Sequence, residues 1–178
     1  GLLLAAWIVF AGTLNFIERV QATRAGGSFF AGMMRQPRHF FGMHTAHVGV
    51  AVFVVGVTMV STYQEEKDVK MAPGDTVAVA GFEFRFNGVR QVNGPNYTAL
   101  AGDFDLAREG KPLRKMHPEK RTYQSSAMPM TEAAIDAGLF RDLYVSLGEP
   151  IDRDQVEGEW AVRVYHKPFV DWIWGGCL

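Results

Sequence analysis

Apolar residues are concentrated near the two ends of the chain, whereas charged residues occupy the connection after residue 17 and the long middle part. The first seventeen residues, GLLLAAWIVFAGTLNFI, carry no charged side chain, and a second apolar run covers residues 40–61. A helix needs about 20 consecutive apolar residues to cross roughly 30 Å of hydrocarbon. The pattern therefore predicts a transmembrane helix at 40–61 and a truncated transmembrane helix at 1–17.

The segment between these helices, residues 18–39, is predicted to be a cytoplasmic loop. It contains Arg19, Arg24, Arg35 and Arg38 against a single acidic residue, Glu18. Basic residues in short loops mark the cytoplasmic side of a membrane. The second helix would then carry the chain to the opposite side after Ser61.

Residues 62–167 have the composition of a soluble domain and mainly show the period-two alternation of β-strands. In DTVAVAGFEFRFNGV the alternation breaks at Ala80–Gly81, which predicts two strands joined by a turn or bulge. NYTALAGDFDLA and EWAVRVYH repeat the alternation, while NGPN, REGKP and LGEP are predicted turns. MTEAAIDAGLFRDLY is predicted to contain a short helical turn that ends at Gly138. We expect a mostly β domain, a small barrel or a sandwich, inserted between membrane-spanning helices.

Residues 168–178 are predicted to form a membrane interface followed by the start of a truncated transmembrane helix. Phe169, Trp172 and Trp174 come immediately before a new apolar run. Tryptophan and other aromatic side chains are enriched at the boundary between headgroups and hydrocarbon. The chain is therefore expected to return to the membrane here.

Charge and motifs exclude several classes of function. Basic and acidic side chains nearly balance, at 18 against 19, and no basic patch with interleaved aromatics suggests nucleic acid. Cys177 is the only cysteine, so the chain has no disulfide framework and no C-x-x-C-H site for covalent attachment of a c-type haem. Phosphate-binding, dinucleotide-binding and serine-hydrolase motifs do not occur. The sequence therefore predicts no complete catalytic site.

Two histidines in the second apolar run are the main candidates for chemistry. His44 and His47 are three residues apart and share a helix face, and Gly49 and Gly56 form a flank that a neighbouring helix or a flat cofactor could approach closely. His47 should lie on the order of 10 Å inside the cytoplasmic end. An ionisable residue at that depth usually serves a proton path, an ion site or a cofactor.

Two interpretations of these histidines remain open from the pattern alone. One is a hydrogen-bonded structural imidazole, which we favour for His44 because it lies nearer the interface. The other is ligation of haem iron or another metal through one ring nitrogen. His117 and His166 stand in polar surroundings without a second ligand at metal spacing, and are expected to be surface residues.

Six segments resemble, in order and in spacing, the C-terminal part of the CcmF family of bacterial cytochrome c maturation proteins. They are MHTAHVGVAVFVVG, YQEEKDVKMAPGD, GPNY, EKRTY, MPMTEAAIDAGLFRDLYVSLGEP and WAVRVYHKPFVDWIW. The resemblance covers nearly the whole chain, and its two longest segments are specific. One departure is Tyr165–His166, where relatives tend to have two tyrosines.

The resemblance implies a multi-pass protein of the bacterial inner membrane with a periplasmic β domain. It implies a subunit of a haem lyase, which handles haem and helps to attach it to apocytochrome c. The implied cofactor is haem b, with His47 in the A-H-x-G context of the family as one axial ligand to the iron. His44 is expected to lie beside this ligand, and the second ligand does not occur in these residues.

The implied partners are CcmH- and CcmI-type subunits, the haem chaperone CcmE, apocytochrome c, quinol and membrane lipid. The β domain would scaffold the haem-handling surface or dock partner subunits. Its candidates for polar contacts are Arg121, Tyr123, Arg141 and Tyr144. The alternative is a membrane-tethered β-domain module for binding or scaffolding, in which both histidines are only structural.

Overall fold

A computed structural model of the chain describes residues 1–24, 26–126, 128–152 and 158–178. The chain divides into two compact units. One unit is helical and consists of Gly1–Tyr63 together with Pro168–Leu178, and the other consists of Gln64–Lys167. The change of composition after residue 61 therefore marks a real change of architecture.

The described residues of the helical unit form four helices. They are α1 (Leu2–Thr23), α2 (Phe29–Met34), α3 (Arg38–Tyr63) and α4 (Val170–Cys177). With 22 and 26 residues, α1 and α3 are long and apolar enough to cross a membrane. At 1.5 Å per residue they measure about 33 and 39 Å, which exceeds the roughly 30 Å of the hydrocarbon core. Both helices fit a membrane protein.

The connection between α1 and α3 is more helical than the sequence pattern suggested. α1 continues beyond Ile17 to Thr23, and α2 begins after Ser28, whose side chain accepts a hydrogen bond from the backbone N–H of Ala31 at 3.3 Å. Val20 is fully buried, and a Cβ at Gly32 would lie only 2.4 Å from the Val20 carbonyl oxygen. Close packing of α2 on α1 thus extends ordered structure into the polar segment.

In the second unit, the part of the chain that the structure describes forms ten strands. They are β1 (Glu65–Met71), β2 (Thr76–Val79), β3 (Phe82–Asn93), β4 (Tyr97–Arg108), β5 (Lys111–Met116), β6 (Glu119–Tyr123), β7 (Met130–Glu132), β8 (Ala134–Asp136), β9 (Arg141–Pro150) and β10 (Trp160–Pro168). One sheet has the order β1-β10-β9-β8. The other has the order β2-β3-β4-β6-β7, with β5 pairing the second half of β4.

Side chains from both sheets form a single apolar core, so the domain is a β-sandwich. The residues that alternate inward are almost completely buried. They include Phe84, Phe86, Phe104 and Leu106 from one sheet and Leu143, Val145, Leu147, Trp160, Val162 and Val164 from the other. The expected mostly β domain is confirmed, in its sandwich form.

The predicted break at Ala80–Gly81 is a tight turn between β2 and β3. Ala80 and Gly81 have φ angles of 49° and 78°, and the two strands pair from Val79 with Phe82 onward. Positive φ at both central residues is typical of the type I′ hairpin, whose twist matches that of the strands. The alternation in this segment therefore gave both strands correctly.

Two local predictions in the domain are wrong. The segment predicted as a helical turn forms the short strands β7 and β8, which pair with β6 and β9 respectively. LGEP is not a turn but lies inside β9. Its Gly148 packs so closely on β10 that an added Cβ would lie 2.9 Å from the Ala161 carbonyl oxygen. Pairing with distant strands outweighed local propensity in both cases.

Candidate functional site

His47 lies on α3 with an exposed side chain and one ring nitrogen already engaged. Its Nδ1 is 2.8 Å from the carbonyl oxygen of Met43, one turn earlier in the helix. Because a carbonyl oxygen can only accept, this bond places the proton on Nδ1 and leaves a lone pair on Nε2. That is the arrangement in which a histidine can bind a metal ion through Nε2.

His44 makes the same kind of bond but has different surroundings. Its Nδ1 lies 2.9 Å from the Phe40 carbonyl oxygen. The ring packs between Phe16 of α1, at 5.3 Å edge to face, and Phe40, at 4.3 Å between ring centroids. Its Nε2 is buried and has no hydrogen-bond partner among the described residues. An unpaired buried acceptor costs about 1–3 kcal/mol, so the position of His44 is unfavourable for hydrogen bonding even though its ring is well packed.

The two histidines line a groove between α1 and α3. The groove has a volume of about 430 Å³ and is lined by Trp7, Ile8, Ala11, Gly12, Asn15, Met43, His44 and His47. A Cβ at Gly12 would meet no atom within 4 Å, so the wall of α1 is open at that point. The volume lies within the range of small-molecule and cofactor sites, about 300–1,000 Å³.

Sequence reasoning missed the contribution of α1 to this groove, and Asn15 in particular. Asn15 is an amide within the first apolar run, and Ile8, Gly12 and Asn15 recur at helical spacing. The sequence could have indicated this, because a polar residue and a glycine lie on the same face of the predicted helix. It places a hydrogen-bonding group on the α1 side of the groove, opposite the histidines.

The chemistry of this donor set fits a haem iron better than a metal ion held only by protein. Haem iron takes axial ligands such as a neutral imidazole, and the walls of the groove are otherwise mainly apolar. Within residues 1–24, 26–126, 128–152 and 158–178, no three or more His, Cys, Asp or Glu side chains come together as a metal site. His47 could supply one axial ligand from this chain.

The remaining histidines are in the β-sandwich and are engaged differently. His117 Nδ1 lies 3.5 Å from Asp103 Oδ1, close enough for an ion pair when the ring is protonated. His166 is half-buried and stacks 6.3 Å from Phe82. Burial lowers its pKa below 6.5, an effect that Glu65 partly opposes and Arg141 reinforces. Neither ring has a metal-binding set around it among the described residues.

The four polar candidates of the β domain all contact their own domain. Arg121 bonds Glu119 at 2.7 Å and lies 4.7 Å over the Tyr97 ring, which also packs against Tyr123. Tyr144 donates a hydrogen bond to Asp142 at 3.1 Å. These contacts give each side chain a role within the fold.

Arg141 pairs with Asp136, which also accepts a hydrogen bond from Arg114 at 3.1 Å. Burial alone would raise the pKa of Asp136, but the hydrogen bonds from Arg141 and Arg114 outweigh it and lower that pKa. The Arg141 guanidinium also lies 5.0 Å from the centre of the Phe82 ring. Arg141 thus ties the loop before β9 to the rest of the sandwich.

Comparison with known proteins identifies relatives along the whole chain. A family model described as the CcmF C-terminal beta-sandwich matches residues 62–168. The cytochrome c-type biogenesis protein CcmF of Pseudomonas aeruginosa is 47% identical over 99% of this chain, and that of Escherichia coli is 39% identical over 100%. The matches cover 26% and 25% of those proteins, so the chain spans about a quarter of their length.

A solved structure has the same fold. The chain described as cytochrome c heme lyase CcmF superposes with a TM-score of 0.66 over 99% of this chain and 32% of that chain, at 19% identity. The resemblance in sequence, the matching sandwich and the identity to curated relatives agree. The chain belongs to the CcmF family of cytochrome c-type biogenesis proteins.

Proposed function

We propose that this chain forms part of a haem lyase subunit, which handles haem and helps to attach it to apocytochrome c. The proposal is supported by relatives named as cytochrome c-type biogenesis proteins and by a similar solved structure named as a haem lyase. The observation that carries it is His47, whose ring is exposed in the groove while its Nδ1 is bonded to the Met43 carbonyl.

The residues of the groove have separable roles in this proposal. The Nδ1–H of His47 donates a hydrogen bond to the Met43 carbonyl oxygen, which fixes the tautomer and leaves Nε2 as the nitrogen that would bind the haem iron. His44 stays in its aromatic contacts with Phe16 and Phe40 and supports the groove without binding iron. A b-type haem bound there would supply one-electron redox chemistry, with quinol as the proposed electron donor, and so would keep the iron of the incoming haem reduced for thioether formation. A second ligand to the iron would come from outside this chain.

The proposed location is the bacterial inner membrane, with residues 18–39 in the cytoplasm and the β-sandwich in the periplasm. The arginines of that connection support the orientation through the positive-inside rule. The sandwich would scaffold the haem-handling surface or dock partners. The proposed partners are CcmH- and CcmI-type subunits, the haem chaperone CcmE, apocytochrome c and quinol.

The experiment is a visible spectrum of the full-length membrane protein that contains this chain, purified after expression with ample haem. The reduced wild-type protein should show the α and Soret bands of a b-type haem. His47→Ala should lose them, because the ligand nitrogen is removed. The matched control His44→Ala should keep them, since Phe16 and Phe40 still close that side of the groove. A colourless wild-type protein would contradict the proposal.

The second candidate function is a membrane-tethered β-domain module without a haem. It is favoured by one observation, that both histidines already bond a carbonyl oxygen of their own helix, as purely structural histidines would. It predicts that His44→Ala and His47→Ala have equal effects and that neither changes a visible spectrum. The two functions therefore differ in the same measurement.

A further inference from the structure

α4 meets α3 through glycine backbone on both sides. A Cβ added at Gly176 would lie 2.5 Å from the backbone nitrogen of Phe53 and 2.6 Å from the carbonyl oxygen of Gly49. A Cβ added at Gly49 would lie 2.7 Å from the carbonyl oxygen of Gly176. All of these neighbours are backbone atoms, so no side-chain rotation could relieve the contact.

The glycine contact lies on the side of α3 that faces away from His47. Gly49 follows His47 by two residues, and at 3.6 residues per turn the two point about 200° apart around α3. His47 faces the groove that α3 forms with α1, whereas Gly49 and Phe53 face α4. α4 therefore packs on the side of α3 that is opposite the groove.

We propose that Gly49 and Gly176 are positioning residues for His47, an inference that rests on the proposed function of His47 as a haem ligand. Their contact fixes how closely α3 packs on α4, and hence where the backbone of α3 holds the imidazole in the groove. A methyl group at either glycine needs van der Waals separations of about 3.5 Å, which forces the helices apart by roughly 1 Å. α3 then moves toward the groove and carries His47 with it.

A displacement of α3 would weaken haem binding by moving His47 away from the iron. A haem bound in the groove would need a second ligand from elsewhere in the full-length protein, so His47 would have to keep its position relative to that part of the protein. Loss of a group that orients a metal ligand typically weakens binding by about 10–100-fold. We expect a similar loss of haem retention when the α3–α4 contact is opened beside His47.

Two glycines in the same helices serve as matched controls. A Cβ at Gly175 would meet no atom within 4 Å, so Gly175→Ala makes the same chemical change one residue away without a clash. A Cβ at Gly56 would lie 2.8 Å from the backbone nitrogen of Ile173, in the same helix contact. Gly56 is nine residues beyond His47, which is about 13 Å along the axis. Gly56→Ala therefore disturbs the packing far from the ligand.

The experiment compares Gly176→Ala, Gly49→Ala, Gly56→Ala and Gly175→Ala in the full-length protein purified with its haem. The readouts are the reduced b-type spectrum, carbon monoxide binding to the reduced haem, the rate of haem loss and the thermal midpoint. Gly176→Ala should lose haem on the order of tenfold faster and should bind carbon monoxide, because His47 no longer holds its coordination position. Gly49→Ala provides the same test with a single clash. Gly56→Ala should lower the thermal midpoint but keep the wild-type spectrum, and Gly175→Ala should change neither.

The inference is overturned if Gly176→Ala and Gly49→Ala keep the spectrum and the slow haem loss of Gly175→Ala. It is also overturned if Gly56→Ala perturbs the haem equally, since the contact would then act only through general packing. Failure of both variants to accumulate would assign the contact to folding and would reject the positioning role. Retention of the wild-type spectrum in His47→Ala is a separate result, because it would reject the proposed function itself.

Discussion

His44 and His47 show how the surroundings of one ring nitrogen can separate two otherwise similar residues. Both are on α3, both bond the carbonyl oxygen four residues earlier, and both line the groove with α1. His44 is packed between two phenylalanine rings, whereas the side chain of His47 is exposed. Of the two, His47 therefore offers the nitrogen that a large planar ligand could reach without displacing aromatic side chains.

A second residue-scale prediction concerns His166 and the stability of the β-sandwich. Burial lowers the pKa of His166 in the folded state, whereas the unfolded chain has the ordinary value of 6.5. As pH falls through 6.5 the unfolded state takes up a proton that the folded state resists, so the free energy of unfolding decreases. His166→Tyr should remove this loss between about pH 7.5 and pH 5.

Thermal unfolding of the sandwich, followed by its circular dichroism across this pH range, checks the prediction for His166. His117→Tyr is the matched control, because His117 is a histidine of the same domain with a more exposed side chain. If the thermal midpoint depended on pH equally in wild type and His166→Tyr, burial of His166 would not be the cause of the loss of stability.

At the scale of elements, alternation identified the strands that form the core and failed where local composition and tertiary pairing disagree. β3, β4 and β10 have large apolar side chains on one face, and their alternating sequence pattern arises because that face is buried. Thr131, Glu132 and Ala133 favour a helical turn by local propensity, yet residues 130–132 form an edge strand because β6 is available to pair. Propensity is a weak guide where a long-range partner satisfies the backbone.

The candidate site was predictable only in part for a related reason. The spacing of His44 and His47 on one helix face follows from sequence, and so does the small-residue flank at Gly49 and Gly56. Which helix would cover that flank does not follow, because α4 is more than a hundred residues away along the chain. The structure puts α4 against the flank and α1 against the histidines.

The β2–β3 hairpin gives a prediction at the scale of an element. Gly81 has a φ of 78°, and an added Cβ would meet no atom within 4 Å, so any cost of a side chain there is backbone strain. Gly81→Val should lower the free energy of unfolding by about 1–2 kcal/mol, because a β-branched residue is strained in the left-handed region. Gly81→Asn is the control and should cost clearly less, since asparagine tolerates that conformation. Equal losses in chemical denaturation would show that the turn is not held at positive φ.

At the scale of the whole molecule, the proposed topology puts the sandwich and the α1–α3 connection on opposite sides of the membrane. Phe30 in α2 and Leu113 in β5 are both exposed, at 64% and 51%. Single cysteines at these positions, in the full-length protein with Cys177 and any other native cysteine replaced by serine, can be labelled with a membrane-impermeant maleimide in spheroplasts. Leu113→Cys should react in intact spheroplasts, and Phe30→Cys only after permeabilisation. Labelling of both, or of Phe30→Cys alone, before permeabilisation would contradict this orientation.

His47 is proposed to supply a nitrogen ligand to a b-type haem, and chemical rescue tests this role most directly. His47→Gly in the full-length protein removes the imidazole and leaves a cavity in the groove that free imidazole can enter. The reduced b-type spectrum should be lost or become five-coordinate in this variant, and added imidazole should restore it, while His44→Gly should need no rescue. An unchanged spectrum in His47→Gly before imidazole is added would contradict the claim.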